Sequence, residues 1–294
     1  MKTITQIAIA FSALLVTISV QAADLERLFA PKADLWAFWV ADNPASSQSI
    51  SHQKWNRFLQ SNVVTGSDKI NRIHYAAVSE QDKALLKQYI TELSKIKITK
   101  FSRKQQLPFW INLYNALTTQ VILEHYPVES IRDIDISPGF FSDGPWDKKL
   151  IVIQQQSISL NDIEHRILRP IWKDFRIHYV LNCASLGCPN LINIAFTKEN
   201  IDVLFDKSIR DYINHPRGVK IIDGEVTLSS IYNWFQDDFG NNEQDVLKHL
   251  RQYAKPGLVT RLSTSKQIDG YDYDWALIDT HPYKVPDESY EAFE

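Results

Sequence analysis

Apolar residues at helical spacing predict three helices in the first 126 residues of the chain. One begins behind Ser51, a second behind the start signal Ser79-x-x-Asp82, and a third covers residues 102–124, where Tyr126-Pro127 ends it. We expect the apolar stripes of the first two helices to face the core. They consist of Trp55, Phe58 and Leu59 in the first helix, and of Leu85, Leu86, Tyr89, Ile90 and Leu93 in the second.

Short apolar runs in the second half of the chain predict strands. Residues 150–153 and 158–160 are expected to pair as a hairpin, and residues 177–181 to form a buried central strand. A further hairpin is predicted to turn at Asp223-Gly224. Residues 132–149 contain Pro-Gly and Gly-Pro pairs and few aliphatic residues, which indicates a long loop.

Further helices are predicted between and after these strands. They cover residues 161–168, ended by Pro170, and then 200–213, 230–238 and 244–253. Because helices dominate and do not alternate regularly with strands, the pattern favours an α+β fold, with a helix-rich domain packed on a small mixed or antiparallel sheet. No repeat, low-complexity tract or Gly/Ser linker marks a boundary, so we expect residues 23–294 to form a single domain.

The first 22 residues resemble an export signal. Lys2 precedes an apolar stretch over residues 7–20, and Val20-Gln21-Ala22 is typical of a signal-peptidase site. The stretch has roughly 14 residues, fewer than the roughly 20 that span a bilayer. We therefore expect cleavage after residue 22, a periplasmic or secreted location, and no membrane anchor.

Charge and composition exclude some functions. Lys2 is the one charged residue in the predicted signal, so of the 32 Lys and Arg residues 31 remain against 35 Asp and Glu residues. This excess of negative charge argues against nucleic acid as a partner. A hydrophobic content of 44% and an aromatic content of 12% are enough for a substantial core. With only two cysteines, that core must supply most of the stability.

Both cysteines lie in one short segment, Asn182-Cys183-Ala184-Ser185-Leu186-Gly187-Cys188-Pro189. In an oxidising compartment the pair is expected to form a local disulfide, which the chain-entropy model values at roughly 2 kcal/mol. Alternatively, Cys183 is a nucleophile, which requires a neighbouring imidazole or a helix N-terminus to form the thiolate. The two interpretations are compatible if a bridge holds a reactive thiol in reserve.

Polar residues in three other segments are candidates to act with Cys183. His165 is the better candidate for a base because Glu164 precedes it, although adjacent helical residues point about 100° apart. His178, five residues before Cys183, is either a second candidate base or a hydrogen-bonded core residue. Asn112 and Asn115 share one helix face and either position an imidazole or an oxyanion, or bond to a loop backbone.

The sequence lacks the common signatures of cofactor and metal enzymes. It contains no phosphate-binding glycine loop, no G-x-S-x-G elbow and no paired-histidine zincin motif. The spacing of the two cysteines is not that of a zinc knuckle. We expect no cofactor and no metal.

Several motifs in order resemble the family known as domain of unknown function 547. They are Phe109-Trp110-Ile111-Asn112-Leu113-Tyr114-Asn115-Ala116, Leu160-Asn161-Asp162-Ile163-Glu164-His165, and the run from Ile177 to Pro189 that holds both cysteines. The segments at 229–235 and 272–279 are also similar, so the resemblance covers roughly residues 70–280. It implies a bacterial exported or a eukaryotic domain without an established reaction. By analogy of roles alone, the candidate groups resemble those of papain-like and transglutaminase-like thiol enzymes.

Two functions are therefore expected. The first is a thiol-dependent hydrolase or acyltransferase acting on amide or peptide bonds in the cell envelope, with Cys183 as nucleophile. The second is a non-catalytic envelope domain in which a Cys183–Cys188 bridge shapes a loop that binds a ligand or a protein partner.

Overall fold

The computed structural model of the chain describes residues 26–139 and 143–280. These residues group into two compact units. The larger unit contains residues 33–139, 143–212 and 274–280, and the smaller unit contains residues 26–32 and 213–273. The predicted signal at 1–22 lies outside the described residues.

Three helices of the larger unit confirm the predictions made from apolar spacing. They are α1 (Gln53–Asn62), α2 (Glu80–Ser94) and α3 (Arg103–His125). Trp55, Phe58 and Leu59 are buried on α1, as the stripe requires. Ser79 caps α2 by accepting a hydrogen bond from the backbone N–H of Asp82.

Helix α3 differs from its neighbours because it has almost no solvent face. Nearly every residue from Gln105 to Ile122 is buried, including Asn112 and Asn115. A helix that is buried all round forms the centre of a core, so its polar side chains must find partners inside the protein. This burial places two amide groups where they can only contact other parts of the chain.

Two short antiparallel hairpins complete the first part of the larger unit. Strand β1 (Val63–Thr65) pairs with β2 (Asn71–Ile73), and β3 (Ile151–Ile153) pairs with β4 (Gln156–Ile158). The second hairpin is present as predicted, but its second strand lies at 156–158 rather than at 158–160. In β3 the two isoleucines are buried while Val152 is exposed, the alternation expected for a strand with one covered face.

The segment after this hairpin differs from the prediction. Residues Asp162–Leu168 form a π-helix that continues directly into α4 (Arg169–Trp172). Pro170 therefore does not end the helix: the carbonyl four residues before it, which the missing N–H of proline cannot serve, accepts a hydrogen bond from the backbone N–H of Trp36 (3.0 Å). The helical path ends instead at Lys173, which adopts a left-handed conformation with φ of 49°.

The predicted central strand at 177–181 is wrong. Residues Phe175–Tyr179 form a 3₁₀ helix, capped by the Asp174 side chain, which accepts a hydrogen bond from the backbone N–H of Arg176. Ile177, His178 and Tyr179 are all buried. A short segment that is buried on every side shows no alternation, so its periodicity does not distinguish a strand from a helix.

Helix α5 (Ile201–Ile213) leads to the smaller unit, which has its own small sheet. Strands β5 (Val219–Ile222) and β6 (Glu225–Ser229) form the hairpin predicted at Asp223-Gly224, where both turn residues have positive φ. Strand β7 (Gly270–Asp272) adds to β6 in parallel. The helices of this unit are α6 (Ile231–Trp234), α7 (Gln236–Phe239), α8 (Glu243–Tyr253) and α9 (Pro256–Thr264), of which α9 is not predicted.

The structure confirms the α+β class: helices dominate, and the sheets have two or three strands. The prediction of one domain over residues 23–294 stays a prediction beside the division into two compact units. Within residues 26–139 and 143–280, no helix is both long and apolar enough to cross a bilayer.

Candidate functional site

Cys183 and Cys188 are joined by a disulfide in the segment 180–189, which we call the cysteine loop. Their Cα atoms lie 6.2 Å apart, within the usual range for a bridge. Cys188 is buried, with 2% of its surface exposed, whereas Cys183 is half-buried. The predicted disulfide is thus confirmed, and its two sulfur-bearing residues differ in access to solvent.

Two asparagines hold the cysteine loop from inside. The Asn115 side chain donates to the carbonyl of Val180 (2.9 Å) and accepts from the backbone N–H of Asn182 (2.9 Å). Asn182 in turn donates to the carbonyl of Pro189 (2.7 Å) and accepts from the N–H of Ala184 (2.9 Å). Each amide therefore supplies hydrogen-bond partners for one backbone carbonyl and one backbone N–H of the loop.

The segment 274–278 holds the loop from the other side. The backbone N–H of Leu186 donates to the carbonyl of Ala276 (2.8 Å), and that of Gly187 to the carbonyl of Asp274 (2.8 Å). The N–H of Ile278 donates to the carbonyl of Ala184 (2.9 Å). These bonds give the apolar tail segment, which the sequence left without a partner, a direct role in shaping the loop.

Ala184 lies between Cys183 and Ser185 in a left-handed conformation, with φ of 63°. For a residue with a Cβ this conformation costs roughly 1–2 kcal/mol. It persists because the Ala184 N–H bonds to Asn182 and its carbonyl accepts from Ile278. Such outliers cluster at functional sites, so this one marks the bend beside Cys183 as a candidate.

Polar groups surround the two sulfur atoms. The backbone N–H of Cys183 donates to Cys188 Sγ at 2.9 Å. The Ser185 hydroxyl lies 3.2 Å from Cys183 Sγ and donates to Cys188 Sγ at 3.5 Å. Hydrogen-bond donors that face a sulfur atom favour its thiolate form when the bridge opens.

His178 faces a carboxylate. Its Nδ1 lies 3.7 Å from Glu164 Oε1, and the two side chains are only 2% and 12% exposed. The π-helix supplies Glu164, and the 3₁₀ helix before the cysteine loop supplies His178. A carboxylate that faces Nδ1 can hold the ring in one orientation.

His165 faces a different kind of group. Its Nδ1 lies 3.0 Å from Nη1 of Arg169, one turn further along the helical path, and both residues are buried. Because a guanidinium can only donate, Nδ1 must carry the lone pair that accepts this bond. Glu164 thus pairs with His178 rather than with its sequence neighbour His165.

Asn112 forms its hydrogen bonds with a different segment from the one that Asn115 contacts. Its side chain donates to the carbonyl of Phe196 (2.8 Å) and accepts from the N–H of the same residue (3.0 Å). Both amides on α3 therefore bond to loop backbone, the second of the two roles that the sequence left open for them. Asn115 touches the cysteine loop and is a positioning residue, whereas Asn112 fixes the chain at residue 196.

Three groups that hold or face the bridge were not singled out from the sequence: Asn182, Ser185 and Tyr212. Asn182 and Ser185 stand beside the cysteines in the same motif, so their proximity was a usable signal. The Tyr212 hydroxyl donates to the carbonyl of Gly187 (2.6 Å) from the end of α5, 25 residues away. No local pattern announces such a contact.

In the part of the chain that the structure describes, no three or more His, Cys, Asp or Glu side chains lie close enough together to hold a metal ion.

Comparison with known proteins identifies part of the chain. Residues 98–213 match a family described as "Protein of unknown function, DUF547". No curated protein and no solved structure matches the chain. The match contains α3, the π-helix and the cysteine loop, whereas the similar segments at 229–235 and 272–279 lie outside it. Residues 98–213, which hold every candidate site residue, therefore match the DUF547 family of proteins of unknown function.

Proposed function

We propose that the protein is a thiol-dependent hydrolase or acyltransferase that acts on amide or peptide bonds. Cys183 is the nucleophile once the bridge to Cys188 is reduced, and His178, held by Glu164, is its base. The bridged state described above is the resting state. His165 remains the second candidate base.

The observation that carries this proposal is the buried pair of Glu164 and His178. Two ionisable groups taken out of water destabilise a fold unless their interaction repays the lost hydration. A buried carboxylate that faces an imidazole also occurs in catalytic triads, where it orients the ring. His178 lies in the 3₁₀ helix that leads into the half-buried Cys183 and the left-handed bend at Ala184.

The proposed reaction has two half-reactions, acylation of Cys183 and release of the acyl group. His178 accepts the Cys183 thiol proton, and the sulfur attacks the carbonyl carbon of the substrate. The protonated His178 then gives its proton to the departing amine, which leaves an acyl group on the sulfur. Water, or an acceptor amine, attacks this thioester as His178 takes its proton, and Cys183 leaves as a thiolate that takes this proton from His178, which restores both starting groups. Glu164 stabilises the imidazolium throughout.

A second function is favoured by the disulfide itself and by the hydrogen bonds that surround it. A loop that is bridged and held from two sides is a rigid surface, and rigidity lowers the entropy cost of binding. In this function the domain is non-catalytic and presents the cysteine loop to a ligand or partner in the envelope.

One matched pair of variants separates the two functions. Cys188→Ser leaves Cys183 unable to form the bridge, whereas Cys183→Ser removes the proposed nucleophile and breaks the same disulfide. We expect Cys188→Ser to hydrolyse members of a panel of peptidyl coumarin amides without reductant. The native protein should do so only after treatment with dithiothreitol, and Cys183→Ser under neither condition.

The base is tested in the Cys188→Ser background. His178→Gln should lower the hydrolysis rate by roughly 10²–10⁴-fold, the usual contribution of a general base. If Cys188→Ser and Cys183→Ser instead hydrolyse the panel equally slowly and lose the same stability, the enzymatic function is wrong and the binding function stands.

The proposed setting is the periplasm or the exterior of the cell, on the strength of the signal-like residues 1–22. Cell fractionation followed by intact-mass measurement tests it. The expected product begins at Ala23, and a full-length protein in the cytosolic fraction would overturn this part of the proposal.

A further inference from the structure

We propose that the Cys183–Cys188 bridge is a site of thiol exchange with fixed direction. An incoming thiolate of a small or protein dithiol attacks Cys183 Sγ, and Cys188 is the leaving group. This inference does not rest on hydrolase activity, because it concerns the bridge alone and applies to a catalytic or a binding domain.

Access sets which sulfur is attacked. Cys183 is half-buried, whereas only 2% of the surface of Cys188 is exposed to solvent. Exchange requires the attacking thiolate to approach one sulfur atom directly, so the rate follows the access to that atom. Solvent-borne thiols therefore reach Cys183 first.

The groups around Cys188 stabilise it as the departing thiolate. It accepts the backbone N–H of Cys183 at 2.9 Å and the Ser185 hydroxyl at 3.5 Å. A leaving thiol departs faster when its thiolate is stabilised. Access and leaving-group stabilisation thus favour the same direction of attack.

The loop does not depend on the bridge for its shape. Asn115 holds residues 180 and 182, Asn182 holds residues 184 and 189, and the segment 274–278 bonds to residues 184, 186 and 187. None of these hydrogen bonds involves a sulfur atom. Opening the bridge therefore leaves the two thiols close to each other, as reversible exchange requires.

The balanced sequence has two steps. The thiolate of the external dithiol bonds to Cys183 Sγ as the sulfur–sulfur bond breaks, and Cys188 leaves with the electron pair. The second thiol of the reagent then displaces Cys183, so the protein gains two electrons and two protons while the reagent becomes a disulfide.

Single-cysteine variants test the direction. We expect the thiol of Cys188→Ser, which retains Cys183, to react with Ellman's reagent about tenfold or more faster than the thiol of Cys183→Ser, as its access predicts. In the native protein, brief treatment with glutathione, acid quenching and alkylation should place glutathione on Cys183 and the alkyl group on Cys188. Glutathione on Cys188, or equal reactivity of the two variants, would overturn the proposal.

A serine pair tests the stabilised leaving group. Ser185→Ala should slow the opening of the bridge by dithiothreitol several-fold, because Cys188 loses a hydrogen-bond donor. Ser208→Ala is the matched control: this buried hydroxyl bonds to the carbonyl of Leu204 (2.8 Å) within α5. Equal opening rates in the two variants contradict the role of Ser185. The native protein should also keep its fold when the bridge is reduced. A fall in its Tm on reduction far beyond the fall caused by Ser185→Ala or Ser208→Ala would show that the loop needs the bridge for its shape.

Discussion

At the scale of single residues, the amides of α3 show how burial decides the role of a side chain. Asn112 and Asn115 are 0% and 2% exposed, and each uses one N–H and its carbonyl oxygen to bond to backbone groups of a distant segment. Side chains that are buried to this degree do not reach a substrate oxyanion in this arrangement. Their contribution to a site is therefore indirect, through the shape of the loops that they hold.

Because the two asparagines bond to different segments, a variant of one is a control for a variant of the other. Asn115→Ala should lower the free energy of unfolding by about 3 kcal/mol, because a buried carbonyl at Val180 and a buried N–H at Asn182 both lose their partner. It should also raise amide hydrogen exchange in the cysteine loop and change the rate at which dithiothreitol opens the bridge. Urea unfolding and exchange measured by mass spectrometry check both effects.

Asn112→Ala is the matched variant. It sits one turn earlier on the same helix, is equally buried and makes the same two kinds of bond, but to Phe196. We expect a similar loss of stability, with the increase in exchange centred on residue 196. Equal effects of both variants on the cysteine loop would show that Asn115 acts only through global stability.

The sequence predicted which residues form the candidate site better than it predicted how they pair. The two cysteines and the two asparagines are recognisable because a thiol pair and buried amides are rare and locally visible. The pairing of Glu164 with His178 is not visible, because it depends on how the π-helix and the 3₁₀ helix pack. Neighbouring positions in a sequence suggested Glu164 and His165 instead.

At the scale of elements, the π-helix begins at a reciprocal pair. Asp162 accepts the backbone N–H (2.8 Å) and the hydroxyl (3.0 Å) of Ser159, while the Ser159 hydroxyl is 3.2 Å from the Asp162 N–H and can accept from it. Lys149 and Arg166 add ion pairs to the same carboxylate. Burial alone would raise the pKa of Asp162, but the hydrogen bonds from Lys149, Ser159 and Arg166 outweigh it and hold the pKa below its ordinary value of 3.8.

Loss of this start signal should loosen the element that carries Glu164. Asp162→Ala is expected to lower the free energy of unfolding by about 2 kcal/mol, since a cap and two buried donors on Ser159 lose their acceptor. The contribution of the carboxylate is present above its unfolded pKa and is lost as the pH falls below about 3.8. Urea unfolding at neutral pH measures the effect.

An exposed aspartate provides the control for this variant. Asp206 pairs with Arg210 on the surface of α5, with 55% and 52% of the side chains exposed. Asp206→Ala should change stability by no more than about 0.5 kcal/mol. A comparable loss in both variants would mean that Asp162 acts as an ordinary surface charge, despite a side chain that is 4% exposed.

The way an element is buried decides whether its sequence predicts it. Helices α1 and α2 and the hairpin at Asp223-Gly224 each have one covered face or a defined turn, so their periodicity or turn residues identify them. The segment 177–181 is buried all round and carries no such signal. The continuation through Pro170 was missed because proline usually ends a helix, and the contact from Trp36 that satisfies the carbonyl of Arg166 has no local sequence signal.

At the scale of the whole molecule, the two compact units were not visible in the sequence. The change falls at residue 213, the last residue of α5, and residues 274–280 return to the larger unit after the smaller one is complete. The polar, Pro and Gly residues at 214–218 form a turn that is too short to read as a linker, because the same residues are typical of any helix end. The overall α+β class could be predicted because it needs only the types of element and their order.

Two buried histidines make the stability of the molecule depend on pH. Burial lowers the pKa of His52, in the larger unit, and that of His249, in the smaller unit, to about 4 from the ordinary 6.5. Between these pKa values the unfolded chain binds protons that the folded chain does not. The free energy of unfolding therefore has its full value above pH 6.5 and falls as the pH drops toward 4. Each histidine contributes at most roughly 3 kcal/mol to this loss.

His52 allows burial and hydrogen bonding to be separated, because its Nδ1 bonds to the Tyr89 hydroxyl at 2.7 Å. His52→Gln cannot take up a proton, so unfolding of the larger unit should depend less on pH between 6.5 and 4 than it does in the native protein. Tyr89→Phe removes the bond but leaves the ring buried, so it should lower stability by about 1 kcal/mol at pH 7 and keep the pH dependence. Urea unfolding at pH 4.5 and pH 7 distinguishes the two. A flattened profile for Tyr89→Phe with an unchanged one for His52→Gln would show that burial of this imidazole is not the cause.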